Sequence, residues 1–521
     1  MPWSARHLPH LLALAILALL LVELLWRLSS FPGLHGDEAW VGLRALEIRE
    51  KGFFSLHGMT AYTGALFPQV VALAFSVLKP DVLALRLPGV VFNWLALAIL
   101  FVTFRKRGYT AFYAMLLFAS SLLFLFYSRV AWEVSALQNM LLALIVWTVS
   151  EILPAGHSRR GHIVLFFLAF ALGTWNHFIF LAAALSFAMA TTFVALSYPS
   201  KENARLFLLG AFNLPVQFAV LIGMPPLSDG AFFSHALPAL LAGFALVAVT
   251  SIAYIRAETR LLPWIAEFPV RRPGLADPIH NFLVYGTAGA FLIVLPYDGT
   301  SFFGTVSGFI MMERVVSYVP SPLEAAGLQI RMAVLVAAFA LFVYRQTCPN
   351  AGERQDALKR ILLLWPIAFL PVVQIATPGL SDRYFIIPQF LFFAAVALSI
   401  DDMPFRWRRF LQAVLALGFL YTQFFLWHEI ARAENRPPLD YHYGFYNDTS
   451  RHFLKLDGLQ AYVRGSGFCE ADSNSFFIDR PMHFLLAVHP PSCRGPHTVQ
   501  IEYCDTCREP VPWFSVTSAP Q

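Results

Sequence analysis

Two carboxylates, Asp37 and Glu38, stand side by side in the stretch SSFPGLHGDEAW, directly after one of the longest apolar runs of the chain. Arginines recur in comparable settings: Arg86 in LALRLPGVVFNW, Arg129 with Glu133 in YSRVAWEVSA, and Arg383 with Tyr384 in GLSDRYFIIPQF. His177 adds an imidazole in TWNHF. A carboxylate can draw a proton from an attacking hydroxyl or hold a divalent metal. A planar guanidinium fork suits a phosphate. Together they would place carboxylates and arginines around one membrane-level pocket on the same side. Each also has a plainer reading. Asp37 and Glu38 can simply favour the start of a helix, whose N-terminus carries partial positive charge. An isolated arginine beside an apolar run can be an interfacial anchor.

The elements that must position these groups are membrane-spanning. The 521 residues are 58% hydrophobic and only 13% charged, about half the charge of an ordinary soluble domain. Spans need roughly 17–25 apolar residues. Candidates run at about 11–28, 84–104, 109–126, 134–153, 163–176, 178–197, 205–223, 236–254, 279–296, 327–345, 360–376, 383–400 and 409–427, about thirteen in all. The first lacks a small-x-small cleavage site and reads as a retained span rather than a signal peptide. The stretch DEAWVGLRALEIREKG reads as a helix along the membrane surface, ended by Gly52. Residues 64–79 are apolar but short. They read as an interfacial or half-inserted helix, with a short true span as the alternative.

Basic residues fall in alternate loops: Arg6, Arg105 through Arg107, Arg159–Arg160, Lys201 with Arg205, Arg256 through Arg272, Arg345 through Arg360, and Arg406 through Arg409. The positive-inside rule places these in the cytoplasm and the Asp37–Glu38 loop outside. Basic loops also account for the net charge of +5, so no nucleic-acid partner is needed. Cysteines sort the same way: Cys348 falls inside, and Cys469, Cys493, Cys504 and Cys507 fall outside, where disulfides persist. Three pairings are possible. CDTC at 504–507 lacks a partner motif for zinc. The chain therefore divides into a transmembrane domain over 1–430 and a small extracytoplasmic α+β or β domain over 431–521. In the latter, SFFID, HFLLAV and TVQIEY read as strands.

The membrane region resembles the GT-C class of polytopic glycosyltransferases, nearest the branch of aminoarabinose transferases and protein O-mannosyltransferases. The motifs carrying the resemblance are GDEAW, ALEIREKG, LRLPGVVFNWLALAILFVTFRKRG, SRVAWEVSAL and DRYFIIPQF, in that order along the chain. The resemblance implies an all-α membrane enzyme, a hexosyl- or pentosyltransferase, taking a sugar from a polyprenyl phosphate embedded among membrane lipids. The acceptor would be a glycan, lipid or protein on the periplasmic face of a bacterial inner membrane. It makes Asp37 the base, supported by Glu38. It makes Arg383 the main phosphate ligand, with Tyr384 beside it and Arg86 or Arg129 as weaker choices. It also implies a divalent metal in some members, for which Glu38, Glu133 and His177 are the candidate ligands here. The family's second acidic loop motif is missing from YSRVAWE, and so is a Lys-Pro-Pro element before residues 64–79. A competing reading is a transporter or flippase of lipid-linked sugars. That function would place charge near the bilayer midplane, whereas the charges here crowd at one face.

Cysteine labelling tests the orientation. Ser158→Cys and Gln355→Cys should resist an impermeant thiol reagent in intact cells, and Ser301→Cys should react. Labelling of Ser158→Cys from outside would reverse the assignment.

Overall fold

The computed structural model describes residues 3–52, 63–154, 160–223, 236–271, 356–376, 384, 386–432, 453–454, 456–491, 498–503, 511 and 514–518. The expected spans at 279–296 and 327–345 lie outside them. The described helices are α1 (Trp3–Leu25), α2 (Gly36–Lys51), α3 (Leu66–Val77), α4 (Val82–Phe104), α5 (Thr110–Ala119), α6 (Leu122–Tyr127), α7 (Glu133–Ala136) and α8 (Gln138–Ile152). They continue with α9 (Arg160–Asn176), α10 (Ile179–Ser197), α11 (Lys201–Gly223), α12 (Ala236–Arg271), α13 (Ala357–Ala376), α14 (Ile386–Asp401) and α15 (Phe405–Arg432). Among the described residues, six helical segments are long and apolar enough to cross a membrane.

Two differences from the expected spans have local causes, and the short helix expected over 64–79 is present as α3. The run 109–126 is two helices, because the Ser121 hydroxyl caps α6 by accepting from the Phe124 N–H (3.1 Å). The helix beginning at 236 does not stop near 254 but continues to Arg271. Its continuation is tied down by a 2.7 Å ion pair between Glu258 and Arg205 of α11. α3 has 12 residues; a rise of roughly 18 Å falls well short of about 30 Å of hydrocarbon.

Polar side chains tie the apolar helices together. The Trp94 indole donates to the Leu17 carbonyl (3.0 Å), joining α4 to α1. The Asn93 amide donates to Gly89 and Ser135 carbonyls and accepts from Asn139 (2.7 Å), joining α4 to α7 and α8. The Trp365 indole donates to the Ala183 carbonyl (2.8 Å), joining α13 to α10. Such bonds carry weight where water is absent to satisfy a stray donor.

The two ends of the bundle differ in chemistry. At one end Arg107 pairs with Asp356, Lys359 with Asp402, and Arg205 with Glu258 and the Leu153 carbonyl. The Arg360 guanidinium lies over Tyr198, 4.0 Å from the ring centre. These residues come from loops that the charge pattern assigned to a common side. At the other end lie the segment after α1, the turn between α9 and α10, and the C-terminal region.

That region docks on the transmembrane part. Strand β1 (Leu34–His35) pairs antiparallel with β2 (Phe453–Leu454), with His35 opposite Phe453. After α16 (Asp457–Gly465), β3 (Glu470–Asp472) pairs parallel with β4 (Thr498–Tyr503), which pairs antiparallel with β5 (Phe514–Ser518). TVQIEY is thus the strand expected, but SFFID and HFLLAV are not strands: they run through one helix, α17 (Phe476–Val488). Its buried Ile478, Met482, Leu485 and Leu486 recur at helical spacing. Gly36 and Gly42 of α2 lie where a Cβ would collide with the rings of Phe476 and Phe484 on α17. Cys469 is disulfide-bonded; Cys348, Cys493, Cys504 and Cys507 lie outside the described residues.

The tightest crossing is at Gly64, whose N–H donates to the Asn176 carbonyl (3.0 Å) at the α9–α10 turn. A Cβ there would overlap the Trp175 carbonyl oxygen, which is backbone and cannot swing aside. Gly64→Ala should therefore cost about 1–3 kcal/mol or more and lower the melting temperature of purified protein. An unchanged melting temperature would show that the crossing is looser than described.

Candidate active site

The site is assembled where α1 ends and α2 begins. Residues 26–33 are irregular backbone, and their carbonyls would be costly to leave unpaired at membrane depth. Two buried guanidinium groups satisfy them. Arg86 of α4 donates from Nη1 to the Leu28 and Pro32 carbonyls (2.9 Å each) and from Nη2 to the Gly33 carbonyl (3.0 Å). Arg129 donates from Nε to the Phe31 carbonyl (3.2 Å), from Nη2 to the Phe31 (3.0 Å) and Trp26 carbonyls, and from Nη1 to the Glu23 carbonyl. Its guanidinium also stands 5.5 Å from the centre of the Phe31 ring. Burial, reinforced by the like charge of Arg86 and opposed by Glu23, pulls the Arg129 guanidinium down to about 9, so it stays charged at neutral pH.

Glu38 closes this arrangement. Its Oε1 accepts from Arg86 Nε and the Ala131 N–H (2.8 Å each); its Oε2 accepts from Arg86 Nη2 (2.8 Å) and the His35 N–H (3.2 Å). Both side chains of the Glu38–Arg86 pair are fully buried. All five N–H groups of Arg86 are thus engaged within the protein, and so are both oxygens of Glu38. These two side chains build the loop, and neither has capacity left for a ligand.

Asp37 faces elsewhere. Its side chain is 22% exposed. Its backbone N–H donates to Nδ1 of His35 (2.9 Å), the N-cap residue of α2. With Glu38 returning to the His35 N–H, this is a capping box with histidine in the usual serine or threonine place. His35 is buried, with its ring edge-on to Trp132 (centres 4.6 Å apart) and to Phe477 of α17 (5.3 Å). The sequence reading passed over His35 and Trp132. The signal was present in the spacing of His35 and Glu38, the first and fourth positions of a capping box.

Glu133 and His177 come together in a second group. His177 Nε2 lies 3.8 Å from Glu133 Oε1, and its Nδ1 accepts from the Ile179 N–H (3.0 Å). The Tyr384 ring is 6.3 Å from the His177 ring. Arg383 lies outside the described residues. Glu38 is committed to Arg86 and does not complete a metal-ligand set with Glu133 and His177. Among the described residues, the His and acidic group whose ligand atoms converge within 4.8 Å is Asp472, Asp479 and His483 on β3 and α17. There the imidazole sits between the carboxylates, 3.4 Å from Asp472 and 3.7 Å from Asp479, as in an exposed ion network.

This architecture is shared with known membrane enzymes. The chain is similar to the oligosaccharyltransferase of Archaeoglobus fulgidus, solved in complex with Zn and sulfate: TM-score 0.51, 16% identity, over 87% of this chain and 55% of that one. It is also similar to ArnT from Cupriavidus metallidurans bound to undecaprenyl phosphate: TM-score 0.37, 13% identity, over 98% and 99%. The chain spans about half the length of the oligosaccharyltransferase it matches. No family model matches the sequence, and no curated protein matches it. The fold is of the GT-C type: a helical membrane region with a small C-terminal sheet.

Arg86→Lys separates a builder from a ligand. Lysine keeps the charge but cannot spread five donors over three carbonyls and a carboxylate. The expected result is loss of about 3–5 kcal/mol of stability, read as a fall in folded protein on size-exclusion chromatography and in melting temperature. Normal folding with weaker donor-lipid binding would instead make Arg86 a phosphate ligand.

Proposed function

We propose that the chain is a membrane glycosyltransferase that moves a hexosyl or pentosyl group from a polyprenyl-phosphate donor to an acceptor hydroxyl. The observation that carries this reading is the contrast between adjacent carboxylates. Glu38 is sealed against Arg86, while Asp37 is held by its backbone at a helix start and keeps a partly exposed side chain. Asp37 takes the proton of the acceptor as its oxygen attacks the anomeric carbon. The bond from that carbon to the phosphate oxygen breaks, and the polyprenyl phosphate leaves. Because Arg86 and Arg129 are engaged with backbone carbonyls, the clamp on the departing phosphate falls to Arg383, with Tyr384 beside it in sequence. Glu133 and His177 lie at the same end of the bundle, 3.8 Å apart, and are further candidates for contact with donor or acceptor. Fixing a lipid donor at the membrane edge makes the attack effectively intramolecular. The basic-loop pattern supports an orientation with this end facing away from the cytoplasm, which is the periplasm in the bacterial inner membrane that the family resemblance implies. A glycan, a lipid or a protein could serve as acceptor.

The test is sugar transfer by purified protein in nanodiscs with polyprenyl-phosphate sugars. Asp37→Asn should fold normally, retain donor binding and lose roughly 100-fold or more in rate; wild-type turnover would remove Asp37 from the chemistry. Arg383→Lys should weaken donor binding in folded protein, and unchanged affinity would return Arg383 to the role of an anchor. Movement of the lipid-linked sugar across vesicles without transfer would favour a flippase.

A further inference from the structure

The imidazole of His35 sits between the C-terminal region and Asp37. Its Nδ1 receives two N–H donors, the backbone of Asp37 (2.9 Å) and the indole of Trp132 (3.2 Å). An atom that accepts two hydrogen bonds carries no proton, so the ring proton belongs on Nε2. The Asp37 Oδ2 atom stands 3.8 Å from the same Nδ1. A nitrogen lone pair facing a carboxylate cannot donate to it, so Nδ1 does not tie up the acid. The ring has little room to turn, because it is buried and edge-on to Trp132 on one side and Phe477 on the other. Phe477 belongs to α17, whose neighbouring Phe476 abuts Gly36, the residue between His35 and Asp37. The main chain of His35 is itself paired with Phe453 in the β1–β2 ladder. Three contacts from the C-terminal region therefore converge on the two residues before Asp37.

From this geometry we infer that His35 is a positioning residue for Asp37: its Nδ1, held as an acceptor by Trp132 and wedged by Phe477, fixes the backbone that aims the Asp37 carboxylate. The C-terminal domain is then part of the catalytic apparatus without supplying a reacting group. The inference rests on Asp37 being the base. A side chain displaced by about 1 Å can lose two orders of magnitude in rate, so a rigid mount at this point matters more than the strength of any one bond.

The experiment compares His35→Leu, His35→Asn, Trp132→Phe and Asp37→Asn in purified, full-length protein, reading turnover, KM for the donor and folded fraction. His35→Leu keeps bulk but removes the acceptor. It should lower turnover roughly 10- to 100-fold with little change in KM. His35→Asn supplies an amide oxygen, a favoured N-cap acceptor, and should recover most of that loss. Trp132→Phe keeps a smaller ring against His35 and deletes the indole N–H. It should lower turnover severalfold, and it decides the matter if His35→Leu does not fold. Wild-type turnover in folded His35→Leu, or in Trp132→Phe where His35→Leu fails, overturns the inference. So does a failure of His35→Asn to recover activity while remaining folded. Asp37→Asn keeps the two outcomes apart. If it is inactive while His35→Leu is fully active, the positioning role fails alone. If Asp37→Asn is fully active, the base assignment has failed and the positioning role with it.

Discussion

The buried pair of Glu38 and Arg86 is the interaction on which the rest of the site depends. Two ions removed from water lose several kcal/mol of hydration each, and only close, fully hydrogen-bonded geometry offsets that. The offset here comes from completeness. Five guanidinium donors meet two carboxylate oxygens and three backbone carbonyls, and the carboxylate also collects the N–H groups of His35 and Ala131. A pair this enclosed adds little net stability over apolar packing, but it permits few alternative arrangements. It joins α4, the loop after α1, the start of α2 and the segment before α7 in one knot.

The division between the carboxylates follows from helix geometry. Successive residues project about 100° apart around a helix, so with Glu38 in the knot Asp37 projects to a different side of α2, where its side chain stays partly exposed. The positive end of α2 favours both charges, yet only one can be sealed. The helix start therefore sets Asp37 at a fixed distance from a rigid support while keeping it accessible. The C-terminal region braces the same support from the other side through β2 and α17. Rigid placement of this kind is what proton transfer in a preorganised site requires.

Much of this was legible in the sequence, and the illegible part has a common cause. Apolar runs gave away α4, α8, α10 and α11 because length and hydropathy are local properties. The α2 helix was visible from its acidic start and from Gly52, which takes a φ of +106° at the helix end. The break in 109–126 was hidden, because two serines in an apolar run look harmless until one caps a helix. SFFID and HFLLAV passed for strands since each is too short to show its period, which emerges only over the whole of 476–488. The roles of Arg86 and Arg129 were not readable at all. A sequence shows a guanidinium, but it does not show that the carbonyls of residues 23–33 converge on it from tens of positions away.

A double-mutant cycle on Glu38 and Arg86 tests the account most directly. Wild type, Glu38→Gln, Arg86→Gln and the double variant would be unfolded in the same detergent, and their free energies compared. If the pair is the knot described here, the double variant should be scarcely worse than either single one, with a coupling energy of about 2–3 kcal/mol or more. Additive effects, agreeing within about 0.5 kcal/mol, would mean that the two residues act independently and would contradict the account.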